Sequence, residues 1–520
     1  MSLAKRISTV GGFTLLSRVF GFIRDMLMAR YLGAGMASDA FFIAFKLPNF
    51  FRRLFAEGAF SVGFIPLFSR VLGKDITPES KAAALDFASR VFSWLLPILV
   101  IFLVVMEFAM VPVMLGLTGG FEGDATKFHL TVELGRYTFP YLALISLVTF
   151  YAGMLNALER YSAAAFAPVI LNLFMIGALI GFGETEAGAA RALAAAVSLS
   201  GIAQFLWLLF AAKRAGLTIR LTVPKPSEDV KELMRVIAPA AIGAGIIQIN
   251  LLIDVLLAAR YLPEGSVSWL FYADRLNQLP LGVIGIAVGT VLLPSISRLL
   301  AGGDKKAALH QQNKAIEFSL FLTLPAATAL AVMPAPVIAT LFERGAFTSA
   351  ETAQTAAALM AYAVGLPAYV IAKALTPGYF ARKDTKTPVK FATASLFVNL
   401  VLNLILIQYL AHVGLALATA IAAWFNVLLL YVGLRRTHGF SLARQTLIRI
   451  FKMTTASLLM GAALWFMMQA TPGSFGTDNT TRISMLALLI AGGAGVYFAA
   501  IVVLRTLPLS ELRQILGRKV

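Results

Sequence analysis

The chain has 520 residues, of which 59% are hydrophobic and only 13% are charged, and its mean hydropathy is +0.81. Soluble globular domains carry about 25% charged residues, so this composition indicates a membrane protein along its whole length. Lys and Arg in cytoplasmic loops explain the net charge of +18, so no nucleic-acid partner is needed to account for it. The absence of cysteine excludes disulfides, thiolate metal sites and cysteine nucleophiles.

Apolar segments separated by charged or Gly/Pro-rich stretches predict an all-α, polytopic protein with about fourteen transmembrane helices. In chain order, the predicted spans lie near residues 8–31, 38–70, 82–115, 131–157, 163–183, 190–212, 233–260, 268–299, 311–342, 352–380, 388–410, 413–434, 449–470 and 483–506.

The loop charges alternate along this series. Loops after even-numbered spans are basic and contain Arg70, Lys74, Arg160, Lys213, Arg214, Arg220, Lys225, Lys305, Lys306, Arg382, Lys383, Lys386, Arg435, Arg436 and Arg444. Loops after odd-numbered spans carry acids, among them Glu122, Asp124, Glu184, Glu186, Glu264 and Asp478. Because positive loops stay in the cytoplasm, we predict a multi-pass protein of the bacterial inner membrane with both termini cytoplasmic.

Short matching stretches indicate an internal repeat. At an offset of 228, Asn49, Pro66, Ser69 and Arg70 match Asn277, Pro294, Ser297 and Arg298; at 227, Pro140 and Asn172 match Pro367 and Asn399. Such repeats are typical of transporters. They predict two parallel six-helix lobes, 1–215 and 233–437, joined by a cytoplasmic linker, 216–232, and followed by two additional helices and a cytoplasmic tail, 438–520.

Several charges fall inside predicted spans, where they are expensive unless they face a cavity or a partner. Arg18 and Asp25 share one face of the first helix, and Arg52 lies with Asn49 on a face of small residues in the second. Together with Arg24 and Arg275 they outnumber the nearby carboxylates, which favours an anionic, phosphate-containing substrate. The alternatives are that these charges pair with one another to fix helix packing, or reach the membrane interface.

A second group of polar residues suits a monovalent cation or a proton. Asp254 lies mid-span, Asn399 and Asn403 share a helix face, and Thr419 follows on the next span. Asparagines in helical bundles also hydrogen-bond simply between helices, so ion binding is one of two interpretations.

Two stretches resemble the MurJ (MviN) lipid II flippases of the multidrug/oligosaccharidyl-lipid/polysaccharide exporter superfamily. Residues 17–66 read SRVFGFIRDMLMARYLGAGMASDAFFIAFKLPNFFRRLFAEGAFSVGFIP, and residues 272–298 read YADRLNQLPLGVIGIAVGTVLLPSISR. The resemblance implies two six-helix lobes around a central cavity, with two extra helices, about 449–506, that line a groove for the lipid tail.

The resemblance also implies site residues. The cavity arginines of the family match Arg18, Arg24, Arg52 and Arg275, the family's essential acid matches Asp39, and other positions lining the cavity or its gate match Ser17, Asp25, Asn49 and Glu57. The family's sodium site matches Asp254, Asn399, Asn403, Leu415 and Thr419. Some relatives have a carboxylate in place of Asn403 and a Glu in place of Gln278.

The resulting expectation is a monomeric transporter, not an enzyme, that flips lipid II for peptidoglycan synthesis. Lipid II is an undecaprenyl-diphosphate-linked disaccharide-pentapeptide, and it would cross by alternating access, with no cofactor but with coupling to membrane potential or Na⁺. Alternatives are a flippase for another polyprenyl-diphosphate-linked oligosaccharide, or a cation-coupled drug exporter of the same superfamily. A membrane enzyme is disfavoured because the sequence contains no paired-Asp motif and no convergent histidines.

Overall fold

The computed structural model describes the backbone of residues 3–470 and 478–506, and all regular structure there is helical. Side chains at 3–8, 56–59, 122–123, 240, 242–247, 249–251, 283 and 286–291 lie outside the description, as does the predicted tail beyond 506. The helices are α1 (Leu3–Leu32), α2 (Met36–Phe51), a π-helical segment (Arg52–Phe60), α3 (Ser61–Leu72), α4 (Pro78–Thr118), α5 (Ala125–Thr138), α6 (Pro140–Ala157), α7 (Ser162–Phe182), α8 (Glu186–Arg214), α9 (Glu228–Tyr261), α10 (Ser266–Ala301), α11 (Lys305–Val332), α12 (Pro334–Phe342), α13 (Ser349–Phe380), α14 (Lys386–His438), α15 (Arg444–Ala470) and α16 (Asn479–Val503).

The predicted all-α membrane class is confirmed. Within the described residues, nine helical stretches are long and apolar enough to cross a membrane, and the count of fourteen spans stays a prediction. The predicted spans near 388–410 and 413–434 correspond to the two segments of α14, which pack against each other: Asn399 of the first donates to Thr419 of the second at 3.2 Å. That helix is interrupted at Ala411, whose φ of 47° lies outside the helical region.

By packing, the chain forms two compact units. The first comprises Met1–Ser268 with Arg344–Phe347. Its main contacts join α7 with α8, α1 with α7, α6 with α8 and α2 with α5, and α9 packs on the π-helical segment. Stacked phenylalanines, including Phe64, Phe87 and Phe150, fill its interior.

The second unit comprises Trp269–Glu343 and Thr348–Val520, where α13 packs on α14 and α11 packs on α13 and α15. The repeat places α9 in the second lobe, whereas its contacts lie in the first unit. The lobe boundaries themselves stay a prediction, because they rest on sequence matches rather than on packing.

A buried and a partly buried ion pair attach the additional helices α15 and α16 to the rest of the second unit. Arg449 of α15 donates to Glu317 of α11 at 2.7 Å, and Arg482 of α16 donates to Glu343, which follows α12, at 2.9 Å. Since unpaired charges are costly in a membrane, the first pair fixes α15 at one position along α11, and the second fixes α16 at the end of α12.

Candidate functional site

Helix α1 carries a hydrogen-bonded group built around Arg24. Its Nη2 lies 2.6 Å from Oδ1 of Asp25, which is completely buried, and its Nη1 donates to Oδ1 of Asn172 at 3.0 Å. Asn172, on α7, donates in turn to the carbonyl oxygen of Ser17 at 3.0 Å. The structure therefore brings Ser17, Arg24 and Asp25 together in one hydrogen-bonded group, and their place in a substrate cavity stays a prediction.

One part of that prediction is wrong. The sequence predicts an uncompensated guanidinium at Arg24, but Asp25 neutralises it. The physical reason is that a fully buried carboxylate requires a counter-ion, and Arg24 is its direct neighbour. Arg18, one of the other predicted cations of α1, is exposed and forms no hydrogen bond or ion pair with the described part of the chain.

Asn49 and Arg52 lie where α2 gives way to the π-helical segment. Arg52 Nε donates to Asn49 Oδ1 at 3.2 Å, and Asn49 Nδ2 donates to the carbonyl of Phe45 at 2.8 Å. Arg52 is half-buried and has further interactions. π-Helical turns are rare in proteins, and those that occur are often found at functional sites. The predicted site residue Glu57 falls in this segment, and its side chain lies outside the described residues.

Asp39, near the start of α2, is buried and accepts four hydrogen bonds. Its donors are Lys127 Nζ at 3.0 Å, the backbone N–H groups of Gly265 at 2.8 Å and Ser268 at 3.0 Å, and the Ser268 hydroxyl at 2.7 Å. Because Gly265 and Ser268 lie at the N-terminus of α10, Asp39 caps that helix. Only 1% of the surface of Asp39 is exposed, so in this conformation its carboxylate contacts groups of the protein.

Two residues in and beside this cluster are not predicted from the sequence. Lys127 lies outside the span predicted at 131–157, whereas α5 begins at Ala125. The available signal is Asp124, whose side chain caps α5 by accepting from the Lys127 N–H at 2.9 Å. The sequence predicts Glu264 only as a loop acid, but its carboxylate accepts a hydrogen bond from the Met36 N–H at 2.7 Å and caps α2.

Arg275, the fourth predicted cavity arginine, belongs to the second unit. It is half-buried on α10 and has interactions of its own. Nearby on the same helix, Asp274 accepts a hydrogen bond from Gln278, and Asn277 is 2% exposed. The buried side-chain oxygen of Asn277 has no hydrogen-bond partner within the described residues.

The residues of the predicted ion site are only partly brought together. Asn403 donates to Asn399 at 3.2 Å, Asn399 donates to Thr419 at 3.2 Å, and Thr419 donates to the Leu415 carbonyl at 3.0 Å, all in α14. Asp254 is half-buried on α9, in the other compact unit. The chain of amides and hydroxyl supplies neutral oxygens within the membrane, and ion binding stays a prediction.

An apolar cavity lies among α11, α15 and α16. Its volume is about 180 Å³, and its walls include Phe321, Pro325, Met460, Leu464 and Tyr497. The Tyr497 hydroxyl is satisfied by the carbonyl of Phe321 at 2.7 Å. The cavity is therefore suited to a hydrocarbon chain, and the lipid-tail groove predicted at 449–506 stays a prediction.

Comparison with known proteins identifies the family. The family model described as lipid II flippase MurJ matches residues 28–486. A probable lipid II flippase MurJ of Rhizobium meliloti (strain 1021) is 44% identical, with 100% of this chain and 97% of that protein covered. A lipid II flippase MurJ of Burkholderia cenocepacia is 35% identical, with 96% of each chain covered.

Solved structures agree. A lipid II flippase MurJ in an inward closed conformation matches with a TM-score of 0.79 at 26% identity, over 95% of this chain and 98% of that chain. An inward-facing multidrug MATE transporter of the MOP superfamily shares the fold, with a TM-score of 0.64 at 16% identity, over 83% of this chain and 99% of that one. By its sequence along nearly its whole length, this chain belongs to the lipid II flippase MurJ family.

Proposed function

We propose that this chain flips lipid II from the cytoplasmic to the periplasmic leaflet by alternating access. The observation that carries the proposal is family membership, with a relative 44% identical over the full chain. The rival substrates, another polyprenyl-diphosphate-linked oligosaccharide or a cationic drug, are not favoured, because the curated relatives quoted above are lipid II flippases.

The proposed contact for the diphosphate is made by guanidinium groups. Arg18 is exposed on α1, and Arg52 lies at the start of the π-helical segment. Arginine binds phosphate oxygens bidentately, and in a medium of low dielectric constant each such bond is stronger than in water. Arg275 is proposed as a further contact, whereas Arg24 orients α1 through Asp25 and Asn172.

The undecaprenyl tail requires an apolar path beside the charged site. We assign it to the groove along α15 and α16, where the cavity next to Phe321 and Leu464 is apolar. Moving a CH₂ group from water into an apolar site is favourable by about 0.8 kcal/mol, but moving it there from lipid gains little. We therefore expect this groove to guide the tail rather than to bind it tightly.

For energy coupling we propose membrane potential or Na⁺. Moving one positive charge across 100 mV is worth about 2.3 kcal/mol, so the return of an empty cationic site responds to the potential. The hydrogen-bonded group of Asn399, Asn403 and Thr419 is the proposed Na⁺ position, together with Asp254. We also propose a monomer without catalytic activity, placed in the inner membrane with both termini cytoplasmic.

Complementation tests the proposal. Cells depleted of their own lipid II flippase should grow and keep their shape when they express this chain. Arg18→Ala should abolish that rescue at unchanged protein level. The matched control is Arg160→Ala, which removes an exposed loop arginine and should rescue fully. Rescue by neither the wild-type chain nor the control, with both proteins present in the membrane, would refute lipid II as the substrate.

A further inference from the structure

Residues 217–227, between α8 and α9, form an extended segment fastened along α4, which we call the strap. The Arg220 N–H donates to Ser89 Oγ at 3.1 Å, and the Thr222 N–H donates to Ser93 Oγ at 3.0 Å. Farther along, Trp94 Nε1 donates to the carbonyl of Lys225 at 3.1 Å. Successive turns of α4 thus hold the strap at defined positions.

The strap exposes large apolar side chains. Leu221 is 67% exposed and Val223 is 75% exposed, although both lie in a segment otherwise rich in polar and charged residues. Thr222, between them, turns toward α4, where its hydroxyl lies 3.0 Å from Ser93 Oγ. Leu221 and Val223 therefore project away from the protein.

Trp94 places the strap at the edge of the hydrocarbon layer. Beyond Trp94, α4 continues as the apolar sequence LLPILVIFLVVM, residues 95–106. Tryptophan is enriched at the level of the lipid headgroups, because its ring is apolar and its N–H requires a partner. Here that partner is the strap itself. The strap thus lies where apolar side chains can enter lipid while its backbone stays hydrated.

The local charges leave cations available. Arg90 pairs with both Asp86 and Asp229, Lys231 pairs with Glu228, and Arg70 pairs with Glu232. The neighbouring acids at the start of α9 are therefore neutralised. The basic residues of the strap and of the end of α8 form no ion pair with any described residue; they are Lys213, Arg214, Arg220 and Lys225. Arg214 instead lies over the Phe210 ring.

We infer that the strap is a binding site for anionic phospholipid: Arg220 and Lys225 contact headgroup phosphates while Leu221 and Val223 insert among the upper acyl segments. Each basic residue of a segment that lies next to a membrane raises the affinity of that segment for an anionic lipid surface about fivefold. The inference goes beyond substrate transport, since it concerns bulk lipid and does not depend on lipid II.

The chain has no cysteine, so a single label can report the position of the strap. Full-length Leu221→Cys protein carries a nitroxide and is reconstituted into phosphatidylcholine vesicles with increasing phosphatidylglycerol. Accessibility to oxygen and to a water-soluble nickel complex gives the depth of the label. We expect the label to become oxygen-accessible and nickel-protected as phosphatidylglycerol increases, and a label at Val223→Cys to behave alike.

Charge variants identify the cause. At a fixed phosphatidylglycerol fraction, Arg220→Gln or Lys225→Gln should each lower the equilibrium constant between the inserted and the water-exposed label about fivefold, and so move the half-transition to a higher phosphatidylglycerol fraction. Lys305→Gln removes an exposed charge at the start of α11 and should leave the half-transition unchanged. A label that stays in water at every composition overturns the inference. Equal insertion into pure phosphatidylcholine, or an equal effect of Lys305→Gln, also overturns it.

Discussion

Lys127 Nζ lies 3.0 Å from Asp39 Oδ2, and the two side chains are 8% and 2% exposed. This buried ion pair joins α5 to α2, and the same carboxylate caps α10 through Gly265 and Ser268. An acid expected to contact substrate therefore organises three helix ends in this conformation. Asp39 is important in this conformation because it neutralises Lys127 and accepts hydrogen bonds from the N–H groups of Gly265 and Ser268.

Removing the Asp39 charge should destabilise the protein. Asp39→Asn leaves Lys127 buried without its counter-ion, and breaking such a pair costs about 3–5 kcal/mol. We expect a lower unfolding midpoint in detergent, followed by tryptophan fluorescence. Glu133→Gln breaks the more exposed pair with Arg191 and should change the midpoint little. Equal midpoints for Asp39→Asn and wild type would show that Lys127 finds another partner.

Replacing Arg24 should lower stability, whereas replacing Arg18 should remove function without lowering stability. Arg24→Ala removes the guanidinium that lies 2.6 Å from the buried Asp25 carboxylate, so the variant should unfold at lower temperature and accumulate less in the membrane. Adding Asp25→Asn should restore part of the loss, because it removes the buried charge. Arg18→Ala should keep the wild-type midpoint while losing function. If Arg24→Ala is as stable as Arg18→Ala, the positioning role of Arg24 is wrong.

The attachment of α15 depends on Glu317. Glu317→Gln removes the charge that Arg449 contacts at 2.7 Å, and both side chains are less than 10% exposed. We expect faster amide hydrogen exchange in the first turns of α15, at a cost of about 3 kcal/mol. Lys314→Gln, which removes the longer contact to Glu317 at 3.5 Å, is the control and should have a smaller effect. Unchanged exchange in Glu317→Gln would mean that packing alone holds α15.

Sodium binding should appear as thermal stabilisation. If Asp254, Asn399, Asn403 and Thr419 hold Na⁺, then Na⁺ raises the unfolding midpoint relative to choline, because a ligand that binds only the folded state stabilises it. Asp254→Asn and Asn403→Ala should each abolish the increase, whereas Gln408→Ala, an exposed position of α14, should keep it. An increase that survives Asp254→Asn places the ion elsewhere.

The fold class follows from the sequence because hydropathy and loop charge act over whole helices. The site follows only in part. Arg24 and Asp25 are consecutive, and consecutive residues do not normally face each other on a helix, so their pairing also depends on Asn172 from α7. The π-helical segment begins at Arg52 and has a different residue spacing, which α-helical periodicity does not anticipate.

The distribution of lipid II between leaflets tests the central claim most directly. In cells depleted of their own flippase, a membrane-impermeant hydrolase added to the periplasm measures the fraction of lipid II that has crossed. We predict that the wild-type chain restores that fraction and that Arg18→Ala does not. Lipid II that stays inaccessible with wild-type protein in the membrane, or that becomes fully accessible with Arg18→Ala, would contradict the account.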